Sequence, residues 1–223
     1  SSDIALFLND CEKPVIAITG SNGKSTVTTL VAEMLNFAGV KAIAAGNIGL
    51  PVLDTLTDQL AVDAYVLELS SFQLERLDSL SPQVATVLNV TEDHMDRYES
   101  FAAYHAAKQR VYRGAQAIVI NREQKLTDTL RNKNMKVFSY GFAKPDLQQF
   151  GLAELDGNQW IMFGQQQLIK TCDIRIRGSH NLLNVMASLA LCKAFGVEPL
   201  AVVDVLKTFA GLRHRCEWVA DIN

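Results

Sequence analysis

The chain has 223 residues, is 48% hydrophobic and 20% charged, and carries a formal charge of −3. That length allows one large domain or two small ones, and the composition supports a sizeable core and excludes a disordered segment. The slightly negative balance argues against nucleic acid as a partner, so any anionic ligand must be held by a local site. Nothing in the sequence reads as a signal peptide or as an apolar run of membrane-spanning length, and no membrane partner is expected. Cys11, Cys172, Cys192 and Cys216 lie far apart with no CxxC pair. They read as reduced, mostly core cysteines of a cytoplasmic protein, and neither as a disulfide frame nor as a zinc site.

Strand-like and helix-like stretches alternate over the first two thirds of the chain. After an apolar, helix-like start, Val15-Ile16-Ala17-Ile18 is a short apolar run ending in Thr19-Gly20, and a helical pattern follows from Lys24 to about Ala38. Further runs lie at Lys41 to Ala45, Ala64 to Leu69, Val84 to Val90, Ala117 to Ile120 and Val137 to Tyr140. Several are continuously apolar, as parallel strands covered on both faces are, which predicts a doubly wound α/β sheet with right-handed crossovers. Beyond Pro145 the texture changes. Leu152 to Leu155, Trp160 to Phe163 and Gln167 to Lys170 are short strands separated by Asp156-Gly157-Asn158 and Gly164-Gln165, so a small antiparallel sub-sheet is expected over 146–177. Two helices are then expected, His180 to Phe195 and Pro199 to Phe209, the second opening on a first-turn proline. The chain stops at Asn223 just after a new apolar segment at Trp218 and Val219 has begun, which reads as a piece cut from a longer protein.

Gly20-Ser21-Asn22-Gly23-Lys24-Ser25-Thr26 joins the first buried strand to the first long helix. Gly20 and Gly23 allow a tight turn and close approach, successive N–H groups are expected to point inward as an anion nest, and the helix N-terminus adds partial positive charge. Lys24 is placed to reach β- and γ-phosphates, and the Ser25 hydroxyl to ligate Mg²⁺. A standard Walker A motif would put its first glycine where Ile18 stands, so this phosphate loop is a shorter variant. The plainer alternative is a glycine-rich turn with a solvated lysine.

Glu68 ends one predicted strand and His94 follows another, on the side of an open parallel sheet where ligands gather. A carboxylate such as Glu68 suits Mg²⁺; histidine is a less usual ligand, and a hydrogen-bonded loop histidine is the plainer reading of His94. Lys108 sits with Phe101, Tyr104, Val111 and Tyr112 on one stripe of a helix expected from about Ser100 to Arg113. Desolvation there would lower its amine pKa and open it to carbamylation by CO₂, giving a metal-binding carboxylate; equally, its stem could cover the core while the ammonium reaches water.

Five ordered stretches resemble the Mur ligases of bacterial cell-wall synthesis: Thr19 to Thr26, Gly46-Asn47-Ile48-Gly49, Glu68 to Leu74, Asn89 to Tyr98, and His180-Asn181-Leu182-Leu183-Asn184. The likeness covers the whole chain but only that family's central ATP-binding domain, and is greatest to the members that add D-glutamate. It implies ATP and Mg²⁺ as cofactors. It further implies UDP-N-acetylmuramoyl-L-alanine and D-glutamate as substrates, an acyl-phosphate intermediate, and N- and C-terminal domains absent from residues 1–223. By residue, the resemblance implies Gly20, Ser21, Asn22, Gly23, Lys24, Ser25 and Thr26 around the phosphates. Asn181, Asn184 and Arg215 would meet the nucleotide, and Ser25, Glu68, His94 and carbamylated Lys108 the metal. Asn47 and Ser70 would touch the muramoyl substrate; Lys24, Lys108 and His94 carry the catalytic roles. Each also has a bland reading: Asn181 and Asn184 as first-turn helix residues, Asn47 as a turn residue, Arg215 as a surface arginine. A monomer is expected. The rivals are another amide ligase of this superfamily, folylpolyglutamate synthase included, and a non-enzymatic P-loop module.

Overall fold

The computed structural model describes residues 3–49, 51–56, 61–131 and 133–212. Its centre is the apolar run read first in the sequence, strand β1 (Val15–Thr19), buried along its whole length. Alternate β1 residues serve two separate cores. Ile16 and Ile18 join one with Leu30, Met34 and Leu189, while Val15 and Ala17 join the other with Phe7, Tyr104 and Val111. A strand buried on both faces favours apolar residues on both, which accounts for the continuous hydrophobicity of Val15 to Ile18.

The helices divide between these cores. On one face lie α2 (Lys24–Phe37) and α5 (Ser179–Phe195), and on the other α1 (Asp3–Asp10), α3 (Ser71–Glu75) and α4 (Phe101–Gln109). Strands β2 (Ala42–Gly46), β3 (Ala64–Glu68), β4 (Val84–Val87), β5 (Ala117–Asn121) and β6 (Lys136–Tyr140) complete the parallel part. The hairpin strands are β7 (Gln149–Leu155), β8 (Asn158–Phe163) and β9 (Gln166–Lys170). Among the described residues the order is β2-β3-β1-β4-β5-β6-β7-β8-β9 in one sheet. β1 thus lies between β3 and β4, so the segments leaving all three strands share one edge.

The antiparallel hairpins expected after Pro145 do form, but they continue the main sheet. Ser139 and Tyr140 of β6 pair in parallel with Gln149 and Phe150 of β7, after which β7–β8 and β8–β9 run antiparallel. Buried Phe150 carries the first core across this junction, which is why no separate small core is needed.

Two helix expectations are corrected. Residues from Pro199 to Phe209 do not form one helix; Pro199–Ala201 is a 3₁₀ turn and α6 (Val205–Thr208) a single α-turn. Val202, Val205, Leu206 and Phe209 are buried at the i, i+3, i+4, i+7 spacing that suggested a helix, but the β-branched Val202, Val203 and Val205 lower the helix propensity of the segment. The helix expected to Arg113 stays α-helical to Gln109 and tightens to 3₁₀ over Arg110–Tyr112. Val111 and Tyr112 are nonetheless buried as the stripe required.

Candidate functional site

Gly23 stands at the N-cap of α2 with φ 81° and no side-chain cap, so the first turn of that helix opens onto the loop before it. The left-handed backbone there suits glycine, and so does the space: a Cβ on Gly23 would fall 2.5 Å from Asn184 Oδ1. This contact brings the first turn of α5 against the phosphate loop. The two line a cavity of about 580 Å³ formed by Ser21 to Thr26 with Ile176, His180, Asn181, Asn184 and Gly211. Of the nucleotide contacts implied by resemblance, Asn181 and Asn184 therefore do converge on the loop. Asn181 is buried and donates to Arg177 O at 2.8 Å, and Asn184 Nδ2 donates to Asn181 Oδ1 at 3.3 Å. Arg215 lies outside the described residues.

The loop is tethered to the segment after β4. Ser21 N–H donates to Asn89 O at 3.0 Å and Asn22 N–H to Asn89 Oδ1 at 2.8 Å, while Asn89 Nδ2 donates back to Asn22 O at 2.9 Å. Ser21 Oγ donates to Thr91 O and accepts from Thr91 N, both at 3.0 Å, and lies 2.9 Å from Tyr104 Oη. The anion nest is thus narrower than expected, because the Ser21 and Asn22 N–H groups are turned to Asn89 instead of inward. Asn89 and Tyr104 are residues to which sequence reasoning gave no site role. The signal available for Asn89 was a lone carboxamide directly after a buried strand.

Lys24 Nζ folds back to donate to Gly20 O at 3.0 Å and Ser21 O at 3.1 Å. Lys108 Nζ, from α4, donates to the same Gly20 O at 2.8 Å and lies 4.6 Å from the centre of the Tyr104 ring. Lys108 is 2% exposed, so the alternative in which its ammonium reaches water does not hold. Burial, and secondarily the nearby Lys24 charge, push its amine down to about 7, with Asp93 opposing. Near pH 7 a substantial fraction of such an amine is neutral, and the neutral form can act as a nucleophile.

Glu68 closes β3 beside the loop strand, paired in register with Ile18. Its Oε1 accepts from Asn47 Nδ2 at 3.0 Å, and its Oε2 is buried without a hydrogen-bond partner among the described residues. An acceptor-only atom left so is a costly feature that a hard cation would complete. Gly46, paired with Glu68 and at φ 98°, is what allows this approach. Ser70 is the N-cap of α3, its hydroxyl tied to Gln73 in a capping box. His94 is not part of the cavity. It is exposed, has φ 56°, lies 3.5 Å from an Asp93 carboxylate oxygen, and packs on Phe72 with ring centres 5.1 Å apart. Among the described residues no group of three or more His, Cys, Asp or Glu side chains is arranged to hold a metal. Nor is any helix there long and apolar enough to cross a membrane.

Residues 18–192 match the Mur ligase middle domain. The chain belongs to the Mur ligase family. Among curated relatives, the UDP-N-acetylmuramoylalanine–D-glutamate ligase of Pseudomonas aeruginosa is 50% identical over 221 residues, covering 99% of this chain and 49% of that protein. The ligase of the same name from Pseudomonas fluorescens is 49% identical over 223 residues, covering 100% of this chain and 49% of that protein. The chain thus spans about half the length of the curated relatives it matches. MurF from Acinetobacter baumannii superposes with a TM-score of 0.77 at 21% identity, covering 98% of this chain and 50% of that one. MurC from Thermotoga maritima gives 0.66 at 23% identity, covering 94% and 47%. At such identities the structural likeness speaks to the fold alone, and it is the fold of a Mur ligase middle domain.

Proposed function

We propose that this Mur ligase middle domain binds ATP and Mg²⁺, and that the protein containing it joins D-glutamate to UDP-N-acetylmuramoyl-L-alanine. The reading is carried by the cavity between the phosphate loop and the first turn of α5, in a chain whose whole length resembles D-glutamate ligases. A cytoplasmic, monomeric enzyme fits the substrates.

In the proposed reaction the alanyl carboxylate attacks the γ-phosphorus of ATP and ADP leaves. The D-glutamate amine then attacks the acyl carbon, loses a proton and expels inorganic phosphate. Such phosphoryl transfer depends on positioning and charge neutralisation. Lys24 exchanges its loop carbonyls for phosphate oxygens, and the first-turn amides of α2 with Ser25 and Thr26 orient them. Asn181 and Asn184 face the nucleotide from α5, with Arg215 assigned to the same ligand. Asn47 and Ser70 are assigned to the muramoyl substrate; Asn47 also aims Glu68, and Ser70 keeps the start of α3 in place.

Ser25, Glu68, His94 and carbamylated Lys108 would hold Mg²⁺. The buried, unpartnered Glu68 Oε2 fits that role. Bound there, Mg²⁺ would neutralise charge building on the transferred phosphoryl group. At Lys108 a neutral amine adds to CO₂ and releases a proton, leaving a carboxylate on nitrogen.

The test uses the whole protein supplied with ATP, Mg²⁺, UDP-N-acetylmuramoyl-L-alanine and D-glutamate, with ADP release and the amide product followed together. One ADP and one phosphate per amide are expected. Turnover only with a different acyl acceptor or amino acid would redirect the assignment to another amide ligase.

A further inference from the structure

We propose that Asn89 is a positioning residue for the phosphate loop, its carboxamide setting the peptide of Asn22 and through it the turn at Gly23 that opens α2 to the ligand. The inference rests on the nucleotide reading of the cavity.

Asn89 follows β4 and is half-buried. Its side chain meets the backbone of Asn22 on both sides of its Cα, accepting from Asn22 N at 2.8 Å and donating to Asn22 O at 2.9 Å, and so fixes the two peptide units that flank that residue. Its own carbonyl accepts from Ser21 N at 3.0 Å. A carboxamide offers donor and acceptor on one edge and so copies the pairing of a strand neighbour, here supplied to a loop that has none. The next residue is Gly23, whose φ of 81° turns the chain into α2. Behind the loop the space is closed as well: a Cβ on Gly20 would meet Leu88 Cβ at 3.1 Å and Asn89 N at 3.4 Å. The residues preceding the helix are thus pressed against Leu88 and Asn89 on one side and against Asn184 on the other. With its tip clamped, the loop does not have to be ordered by the ligand, and ordering costs are what preorganisation removes.

Asparagine is specifically suited. Aspartate would set a second acceptor against Asn22 O, and leucine would keep the approximate shape while removing both bonds. Neither change touches Lys24, Ser25 or the Asn181–Asn184 pair.

The experiment compares the 223-residue chain with its Asn89→Asp and Asn89→Leu variants by calorimetric titration of ATP and of AMP, with hydrogen exchange at the Ser21 and Asn22 amides. The expected result is an ATP affinity at least tenfold lower in both variants, unchanged AMP affinity, and faster exchange at Asn22 while helix α2 stays protected. AMP keeps only the α-phosphate and lacks the β- and γ-phosphates at which most of the loop's grip would fall, so a general structural defect would weaken both ligands alike and overturn the proposal. Unchanged ATP affinity in a folded variant would also overturn it. If one variant does not fold, the other carries the test, since they remove the bonds by different means. Failure of the unsubstituted chain to bind ATP would instead remove the nucleotide reading, and the inference with it.

Discussion

Lys24 and Lys108 donate to the same oxygen, Gly20 O, at 3.0 and 2.8 Å, although 84 positions separate them in the chain. Two amines on one carbonyl are tolerable when one of them is neutral, and burial together with the Lys24 charge lowers Lys108 to about 7. This gives a pH prediction for the chain free of CO₂ and Mg²⁺. The folded pKa lies below the unfolded one, so between about 7 and 10.5 the unfolded state binds more protons. Stability should therefore rise with pH across that window, and the gain should be absent below it. The slope contributed by Lys108 can reach about 1.4 kcal/mol per pH unit. Lys108→Met should flatten it, as read from urea midpoints measured across the range. An unchanged slope in the variant would show that Lys108 is protonated in the folded chain.

Lys24→Ala should weaken ATP binding by about 1.5–3 kcal/mol, the contribution of a charge-assisted hydrogen bond. Fold stability should change less than ATP affinity, because the side chain's hydrogen bonds to Gly20 O and Ser21 O stay within its own loop. Calorimetry on the chain, alongside a melting curve, separates the two effects. Equal ATP affinity in the variant would sink the phosphate-loop assignment.

Lys108 should carry a carbamate in the metal-loaded whole protein. Metal binding and the modification should be linked, each favouring the other. Labelled ¹³CO₂ should give an NMR carbamate signal that is lost in Lys108→Ala. The same variant should lose several kcal/mol of transition-state stabilisation, on the order of a thousandfold in rate, with small carboxylic acids partly restoring it. A fully active, magnesium-loaded enzyme without that signal would defeat the idea.

Gly46→Ala should be among the most damaging small substitutions at the site. Gly46 has φ 98°, and a Cβ there would fall 2.3 Å from the backbone oxygen of Glu68, which cannot move without disturbing the β2–β3 pairing. Backbone strain alone is on the order of 1–3 kcal/mol. For a chain of this length, each kcal/mol lowers Tm by roughly 2–4 °C. A melting temperature within a degree of the unsubstituted chain would contradict the geometry.

The 223-residue chain should fold alone, since both faces of its sheet are covered by its own helices, yet it should ligate D-glutamate far more slowly than the whole protein. Lost positioning can raise a barrier by several kcal/mol. Equal rates, measured by amide product per mole of protein, would show that residues outside the chain contribute nothing.

What the sequence determined by itself was whatever depends on neighbours along the chain. The runs Val15–Ile18, Ala64–Leu69 and Val84–Val90 read as buried parallel strands because they are largely apolar, and Val15–Thr19, Ala64–Glu68 and Val84–Val87 are such strands. Gly20 to Thr26 read as a phosphate loop from its glycines and its place between strand and helix, and Ser21 to Thr26 line a cavity together with the first turn of α5. Lys108 read as anomalous from its stripe, but only packing could choose between a buried amine and a solvated one. The tertiary structure also decided what a side chain meets across the sheet edge. Asn89 reaches Asn22 across 67 positions, Asn47 meets Glu68 across 21, and Tyr104 meets Ser21 across 83. Periodicity carries no trace of such pairs. They arise because parallel strands β2, β3, β1 and β4 deliver their following segments to one edge, and that order is set by long-range packing instead of local propensity.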